Sequence, residues 1–147
     1  MLEAHELLKL LPHRYPLLLL DRVTDIEEGV SGTGIKNVTV NESYFQGHFP
    51  DNPVMPGVFI IECVAQTVAA VFSYRRDREA EGGGEVAPRQ RYLATVQDFK
   101  FRRPVTPGDQ LIIKVKLLRR FGNLLQVSAE VYRQQEVVAR GRLTFAG

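Results

Sequence analysis

One segment of the sequence decides the fold: Gln46-Gly47-His48-Phe49-Pro50-Asp51-Asn52-Pro53-Val54-Met55-Pro56-Gly57. Its prolines and glycines predict an ordered loop that presents the imidazole of His48. The mostly apolar residues 58–72 that follow predict one long helix over residues 56–74, because proline is tolerated in the first turn of a helix. A helix that is apolar on nearly every face must be buried. We therefore expect the rest of the chain to wrap around it.

His48 and Glu62 are the candidate acid–base residues of this segment. A carboxylate among apolar residues is costly to bury unless it is paired or protonated, so burial is expected to raise the pKa of Glu62. Gly57 stands at the helix N-terminus, where free N–H groups and the helix dipole can stabilise a polarised carbonyl. On residue type alone, two plainer interpretations stay open: a structural His48, and a Glu62 that is an ion-pair or interface residue.

The remaining pattern predicts a short amphipathic helix followed by strands. The helix covers residues 2–11, and the strands are expected at 21–26, 31–40, 91–101, 110–120, 123–133 and 136–145. Residues 75–90, which include three consecutive glycines, are predicted to form a mobile loop. One central helix with an antiparallel sheet curled around it is an α+β fold, and we expect a single domain over residues 1–147.

Composition narrows the class of protein. The chain has 147 residues, 44% hydrophobic and 24% charged, as is typical of a globular protein. The single cysteine, Cys63, excludes an internal disulfide and fits a reducing cytoplasm, and the three histidines lack the spacing of a zinc site. No nucleic-acid recognition motif occurs. The apolar run is expected to be too short to cross a membrane, and no secretion signal precedes it.

The net charge is only +2, and arginines cluster at residues 75–78, 102–103 and 119–120. Small clusters of this kind are typical of solvated strand ends and loops. They are also compatible with docking of an acidic partner. Both interpretations follow from charge alone.

Several short motifs carry a resemblance that extends over nearly the whole chain. They are Leu-Pro-His-Arg-Tyr-Pro at 11–16, Leu-Asp-Arg at 20–22, Lys-Asn-Val-Thr at 36–39, Gln-Gly-His-Phe-Pro at 46–50, Pro-Val-Met-Pro-Gly-Val at 53–58, Ile-Glu at 61–62 with Ala-Gln at 65–66, Phe-Arg-Arg-Pro-Val at 101–105 and Pro-Gly-Asp at 107–109. In these residues the chain resembles the (3R)-hydroxyacyl-[acyl-carrier-protein] dehydratase family. That family has the hot-dog fold, a curved antiparallel sheet wrapped round a long helix.

The resemblance implies a role for each motif residue. His48 would take the α-proton of the thioester, and Glu62 would help to expel the β-hydroxyl as water. Gly57 would hold the thioester carbonyl through its backbone N–H, while Val58 and Phe59 would line the acyl tunnel. No cofactor or metal is implied.

The resemblance also implies partners. The substrate would be an acyl chain linked through phosphopantetheine to an acyl carrier protein, docked by the basic residues Lys100, Arg102 and Arg103. Two chains would form a homodimer that shares its active sites, so that His48 faces Glu62 of the partner subunit, and dimers would assemble in threes. The related dehydratase/isomerase branch carries Asp where this chain has Glu62, which favours the non-isomerising branch.

The chain departs from the family pattern at Cys63, where Ala is usual, and at Thr95 and Gln97. These differences concern packing and the tunnel rim, and hence the preferred acyl length. Two rival functions remain for a hot-dog protein: a thioesterase, in which the carboxylate directs water at the thioester, and a subunit that binds acyl chains without turnover.

Overall fold

The computed structural model describes residues 1–80 and 91–147, and for residues 75–80 it describes the backbone alone. Within the described residues, two α-helices, one short 3₁₀ helix and six strands follow one another. They are α1 (Ala4–Leu10), β1 (Arg22–Glu27), β2 (Ser31–Asn37), the 3₁₀ helix (Ser43–Gln46), α2 (Gly57–Ala80), β3 (Tyr92–Phe101), β4 (Gln110–Phe121), β5 (Leu124–Arg133) and β6 (Glu136–Ala146). The predicted α+β class is confirmed.

The six strands form one antiparallel sheet in the order β1-β2-β4-β5-β6-β3. Strands β4, β5 and β6 follow each other as hairpins, and Gly122 turns the first of these with a φ of 60°, which glycine adopts without strain. Strand β3 pairs with the C-terminal strand β6 and is the last strand of the sheet. Most side chains of β3 are exposed on both of its faces.

Helix α2 lies against the sheet at β1, β2 and β4, and its contact with β2 is unusually close. A Cβ atom built on Gly32 would lie 2.4 Å from Val71 Cγ2, and one built on Gly34 would lie 2.2 Å from Thr67 Oγ1. Only glycine can occupy these two positions while the helix keeps this distance. The helix side chains at the contact, including Val64 and Val68, are fully buried.

Length and composition do not by themselves distinguish α2 from a membrane-crossing helix. Its first 18 residues, Gly57–Tyr74, have a mean hydropathy of 1.6, so the expectation that the run is too short was wrong. Half of this window is buried inside the protein. Packing against the sheet is the property that makes it a core helix.

The structure corrects two other boundaries. Helix α2 continues to Ala80, so residues 75–80, predicted to be part of a mobile loop, are helical, and residues 81–90 lie outside the described residues. Arginine and glutamate, which occur in this stretch, are good helix formers and favour continuation of the helix. Strand β2 ends at Asn37, three residues earlier than predicted, because its partner β4 begins only at Gln110, after a turn. The Val38 N–H still donates to the Asp109 carbonyl at the end of that turn.

Candidate active site

His48 is fixed by its own loop. Its Nδ1 lies 2.8 Å from the carbonyl oxygen of Val54. A carbonyl can only accept, so Nδ1 carries the proton and Nε2 is left as the acceptor. The Val54 N–H donates in turn to the His48 carbonyl at 3.0 Å, and the ring stacks on Phe49 with 4.2 Å between centroids. The imidazole is therefore held in the tautomer that a general base needs.

A cavity of about 310 Å³ lies beside His48. It is lined also by Gly57, Phe101, Arg102 and Arg103. Gly57 is the first residue of α2, where backbone N–H groups lack intrahelical partners and the helix dipole is positive. The structure thus brings His48, Gly57 and two of the three predicted docking residues together. A carbonyl oxygen bound in this cavity could be polarised by the helix N-terminus.

Glu62 lies in the second turn of α2 and is half-buried. Its Oε1 accepts a hydrogen bond from Gln66 Nε2 at 3.0 Å and lies 3.3 Å from His13 Nε2. Burial acts to raise the pKa of Glu62, but the hydrogen bonds of His13 and Gln66 and the charge of His13 outweigh it and lower the pKa. The expectation of a raised pKa was wrong for the single protomer, because these partners were not visible in the sequence.

Glu62 lines a different cavity, of about 300 Å³, together with His13, Ala65, Tyr92 and Phe145. Each cavity thus contains one of the two candidate acid–base residues. Within one protomer the structure does not bring His48 and Glu62 into a common pocket.

The other predicted site residues have mixed positions. Phe59 stacks its ring on Tyr44, with 4.9 Å between centroids, and Val58 is 70% exposed on α2. Lys100 is opposite Arg140 in the sheet and exposed, whereas its neighbour Phe101 reaches Gly57. Adjacent residues of a strand point to opposite faces, so Lys100 lies on the face away from the His48 cavity. Of the three predicted docking residues, Lys100 is the one that does not line the His48 cavity.

His13 is the site residue that sequence reasoning missed. No role was assigned to it from the sequence, whereas its side chain lies against Glu62. The Leu-Pro-His-Arg-Tyr-Pro motif was the available signal. Among the described residues, no group of three or more His, Cys, Asp or Glu side chains could hold a metal ion.

Comparison with known proteins agrees with this geometry. Residues 11–142 match a family model described as the FabA-like domain. The chain is 50% identical over 122 residues to the 3-hydroxyacyl-[acyl-carrier-protein] dehydratase FabZ of Brucella ovis, covering 83% of this chain and 73% of that one. It is 45% identical over 148 residues to the enzyme of the same name from Paracidovorax citrulli, covering 97% and 98%.

Solved structures agree on the fold. The dehydratase heterocomplex ApeI:P of Xenorhabdus doucetiae superposes with a TM-score of 0.79 at 23% identity, covering 95% of this chain and 89% of that one. The Escherichia coli PaaI protein from the phenylacetic acid degradation operon superposes with a TM-score of 0.58 at 16% identity, covering 85% and 82%. The expected hot-dog fold is confirmed. With relatives named dehydratase across nearly its whole length, the chain belongs to the FabA-like family of hot-dog proteins.

Proposed function

We propose that this chain, as a single domain over residues 1–147, dehydrates (3R)-3-hydroxyacyl-[acyl-carrier-protein] to the trans-2-enoyl thioester in fatty acid biosynthesis. The observation that carries the proposal is the hydrogen bond between His48 Nδ1 and the Val54 carbonyl, which leaves Nε2 as a base beside the N-terminus of α2. The 45–50% identity to relatives named dehydratase supports the reaction class. We assign the reaction to the cytoplasm, without a cofactor.

The chemistry follows from these positions. His48 Nε2 takes a proton from the carbon next to the thioester carbonyl, and the negative charge that develops on the carbonyl oxygen is stabilised by the Gly57 N–H. The electron pair forms the new double bond as the β-carbon–oxygen bond breaks. The carboxyl of Glu62 gives its proton to the departing hydroxyl, which leaves as water, and solvent returns the His48 proton to Glu62.

Two chains are required for this arrangement, because His48 and Glu62 line separate cavities of one protomer. We propose a homodimer in which His48 faces the partner's Glu62, and a trimer of such dimers. The exposed strand β3, with Tyr92 at 68% and Val96 at 45% exposure, supports this, since apolar side chains along an outer strand favour pairing with a second copy. Covering Glu62 in the dimer adds burial, the effect that favours its protonated form.

Carrier docking is assigned to Arg102 and Arg103. Both line the His48 cavity and both are exposed, so they can meet an acidic carrier protein while the phosphopantetheine-linked acyl chain enters. Arg103 Nε lies 3.2 Å from Glu136 Oε1, a pair that is exposed and hence weak. Phe59 and Val58 are assigned to the acyl tunnel that the second subunit completes.

A hydratase assay tests the function. Purified protein is given a short trans-2-enoyl thioester, the loss of conjugated absorbance is followed and the product is identified by mass. Addition of water with the thioester intact supports the proposal, and the loss of this reaction in H48A assigns it to His48. Released thiol would instead indicate a thioesterase. Absence of reaction on a carrier-linked substrate would indicate a binding subunit.

The shared site has its own test, since a mixed dimer of H48A and E62Q contains one site with both residues intact. Random reassociation of the two inactive variants should restore about a quarter of the wild-type activity, because half of the dimers are mixed and each has one complete site of two. Mixing two preparations of H48A is the control. No recovery from reassociated H48A and E62Q would contradict the shared site.

A further inference from the structure

Both side-chain contacts of the Glu62 carboxylate are made through the same oxygen. Gln66 Nε2 donates to Oε1 at 3.0 Å, and His13 Nε2 lies 3.3 Å from Oε1. In the described part of the chain, no hydrogen bond to Oε2 is found. The carboxylate is thus held by one oxygen, while the other remains available to a hydroxyl bound in the cavity that Glu62 lines.

The segment that carries His13 is tied to both helices. Arg14 Nη1 and Nη2 donate to the carbonyls of Leu11 and Leu8, each at 2.8 Å, which fixes the segment to the end of α1. Gln66 of α2 donates to the Leu17 carbonyl at 2.6 Å and accepts from the Leu19 N–H at 3.0 Å. Hydrogen bonds to the backbone before and after His13 therefore hold this segment between α1 and α2.

The His13 ring has a single polar contact among the described residues. Its Nδ1 is buried without a hydrogen-bond partner, and Nε2 faces Glu62. A ring packed in this way is oriented by the carboxylate and orients it in return. A purely structural histidine would be expected to satisfy its buried nitrogen elsewhere.

We propose that His13 is a positioning residue for Glu62, holding Oε1 so that Oε2 meets the β-hydroxyl of the substrate. The inference rests on the proposed function and deepens it. His13 does not touch the reacting atoms, so its loss lowers turnover rather than substrate binding.

Charge supports the same role. The titratable and charged groups that share the cavity with Glu62 are His13, Arg91 and Tyr92. Of the causes that act on the pKa of Glu62, burial raises it, while the hydrogen bonds of His13 and Gln66 and the charge of His13 lower it. Removal of the imidazole takes away two of the lowering effects. In the hydratase assay the reaction runs in reverse, so Glu62 must be ionised to take a proton from the attacking water, and its limb of the pH–rate profile is the acidic one. Loss of the imidazole therefore moves that acidic limb to higher pH.

The experiment compares H13F, which keeps a ring but no N–H, with H13Q, whose side-chain amide can still donate to Oε1. H13F should lose about tenfold to hundredfold in kcat, as for a lost hydrogen bond to a charged group, with KM nearly unchanged. H13Q should recover most of the turnover. The acidic limb should lie highest in H13F and intermediate in H13Q. H5Q on the exposed side of α1 is the control and should behave as wild type.

Wild-type kcat in H13F, a loss confined to KM, or an acidic limb that stays in place would overturn the inference. Where H13F fails to fold, H13Q decides alone, because loss of the imidazole charge must still move the limb. A carbon-13 titration of the Glu62 carboxyl, assigned with E62Q, gives a readout that needs no turnover. A higher titration midpoint in the His13 variants of a protein without hydratase activity would support the contact and refute the proposed function. An unmoved midpoint would refute the contact.

Discussion

Gly57 and Phe101 approach so closely that no side chain fits between them. A Cβ atom built on Gly57 would lie 2.9 Å from Cζ of the Phe101 ring and 3.0 Å from its Cε1. The Phe101 ring, which belongs to β3, therefore packs directly on Gly57, the first residue of α2. Because Gly57 is the proposed donor to the thioester carbonyl, this packing sets the position of that N–H group.

Replacing Gly57 with alanine should displace either the Phe101 ring or the helix N-terminus. A shift of about 1 Å at the donor is expected to lower kcat about a hundredfold while the protein remains folded. The matched control is G47A, because a Cβ atom on Gly47 meets nothing within 4 Å. Steady-state kinetics of the two variants, with circular dichroism, make the measurement. Equal kcat values for G57A and G47A would contradict the role of Gly57.

The contact between α2 and β2 predicts an energetic coupling between Gly34 and Thr67. A Cβ atom on Gly34 would lie 2.2 Å from Thr67 Oγ1, so G34A should destabilise the protein by about 1–3 kcal/mol through overpacking. T67A removes the nearest atom and should make G34A less costly. Denaturant unfolding of the two single variants and the double variant measures this coupling. Strictly additive changes in unfolding free energy would show that the contact is relaxed in solution.

The lowered pKa of Glu62 predicts that the free energy of unfolding depends on pH in the acidic range. Its pKa is lowered from the ordinary value of 4.5, since the hydrogen bonds of His13 and Gln66 and the charge of His13 outweigh the effect of burial. Between the lowered pKa and 4.5 the unfolded chain binds more protons at this residue. The stabilisation is therefore complete above pH 4.5 and is lost as the pH falls through the folded-state value.

Unfolding free energies of wild type and E62Q, measured at one protomer concentration between neutral and acidic pH, test this linkage. The difference between the two proteins should shrink as the pH falls through the lowered pKa. E27Q, at an exposed position of β1, is the control. A constant difference between wild type and E62Q across this range would mean that Glu62 has the same pKa in both states.

We expect the reactivity of the Cys63 thiol to report unfolding of the protein. It is fully buried, and burial raises the pKa of its thiol far above the ordinary value. An aromatic disulfide reagent should react orders of magnitude more slowly with native than with unfolded protein, because the thiolate is the nucleophile. C63A should keep its turnover and give no signal. Rapid labelling of the native protein would contradict this burial.

Local patterns in the sequence were sufficient for most of the fold. The apolar run from Val58 predicted α2, and the strands predicted at 110–120 and 123–133 correspond to the β4–β5 hairpin of the structure. The ends of the helices and strands were harder to predict from the sequence. Helix α2 runs past Tyr74 to Ala80, and β2 stops at Asn37 because its partner β4 begins only at Gln110.

For the candidate site too, contacts between residues close in sequence were predicted and contacts between distant residues were not. His48 and Gly57 are neighbours along the chain, and the loop and helix signals around them were sufficient to predict that they lie together. The contact between His13 and Glu62 joins residues far apart in sequence, and no periodic pattern encodes it. Because this contact was not predicted, the predicted rise in the pKa of Glu62 was wrong for the single protomer. Lys100 and Arg102 were predicted together as docking residues, and of these two the structure places Arg102 at the lining of the His48 cavity.

The order of the strands along the chain determines how much of the core helix is covered during synthesis. Helix α2, the most apolar segment, follows β1 and β2 in the chain but precedes β4, and it packs against all three. Because synthesis proceeds from the N-terminus, α2 leaves the ribosome with two of these strands present and the third still to be translated. A nascent chain therefore exposes part of its core helix until β4 emerges. Strand order, rather than final stability, sets how long that surface needs protection by chaperones.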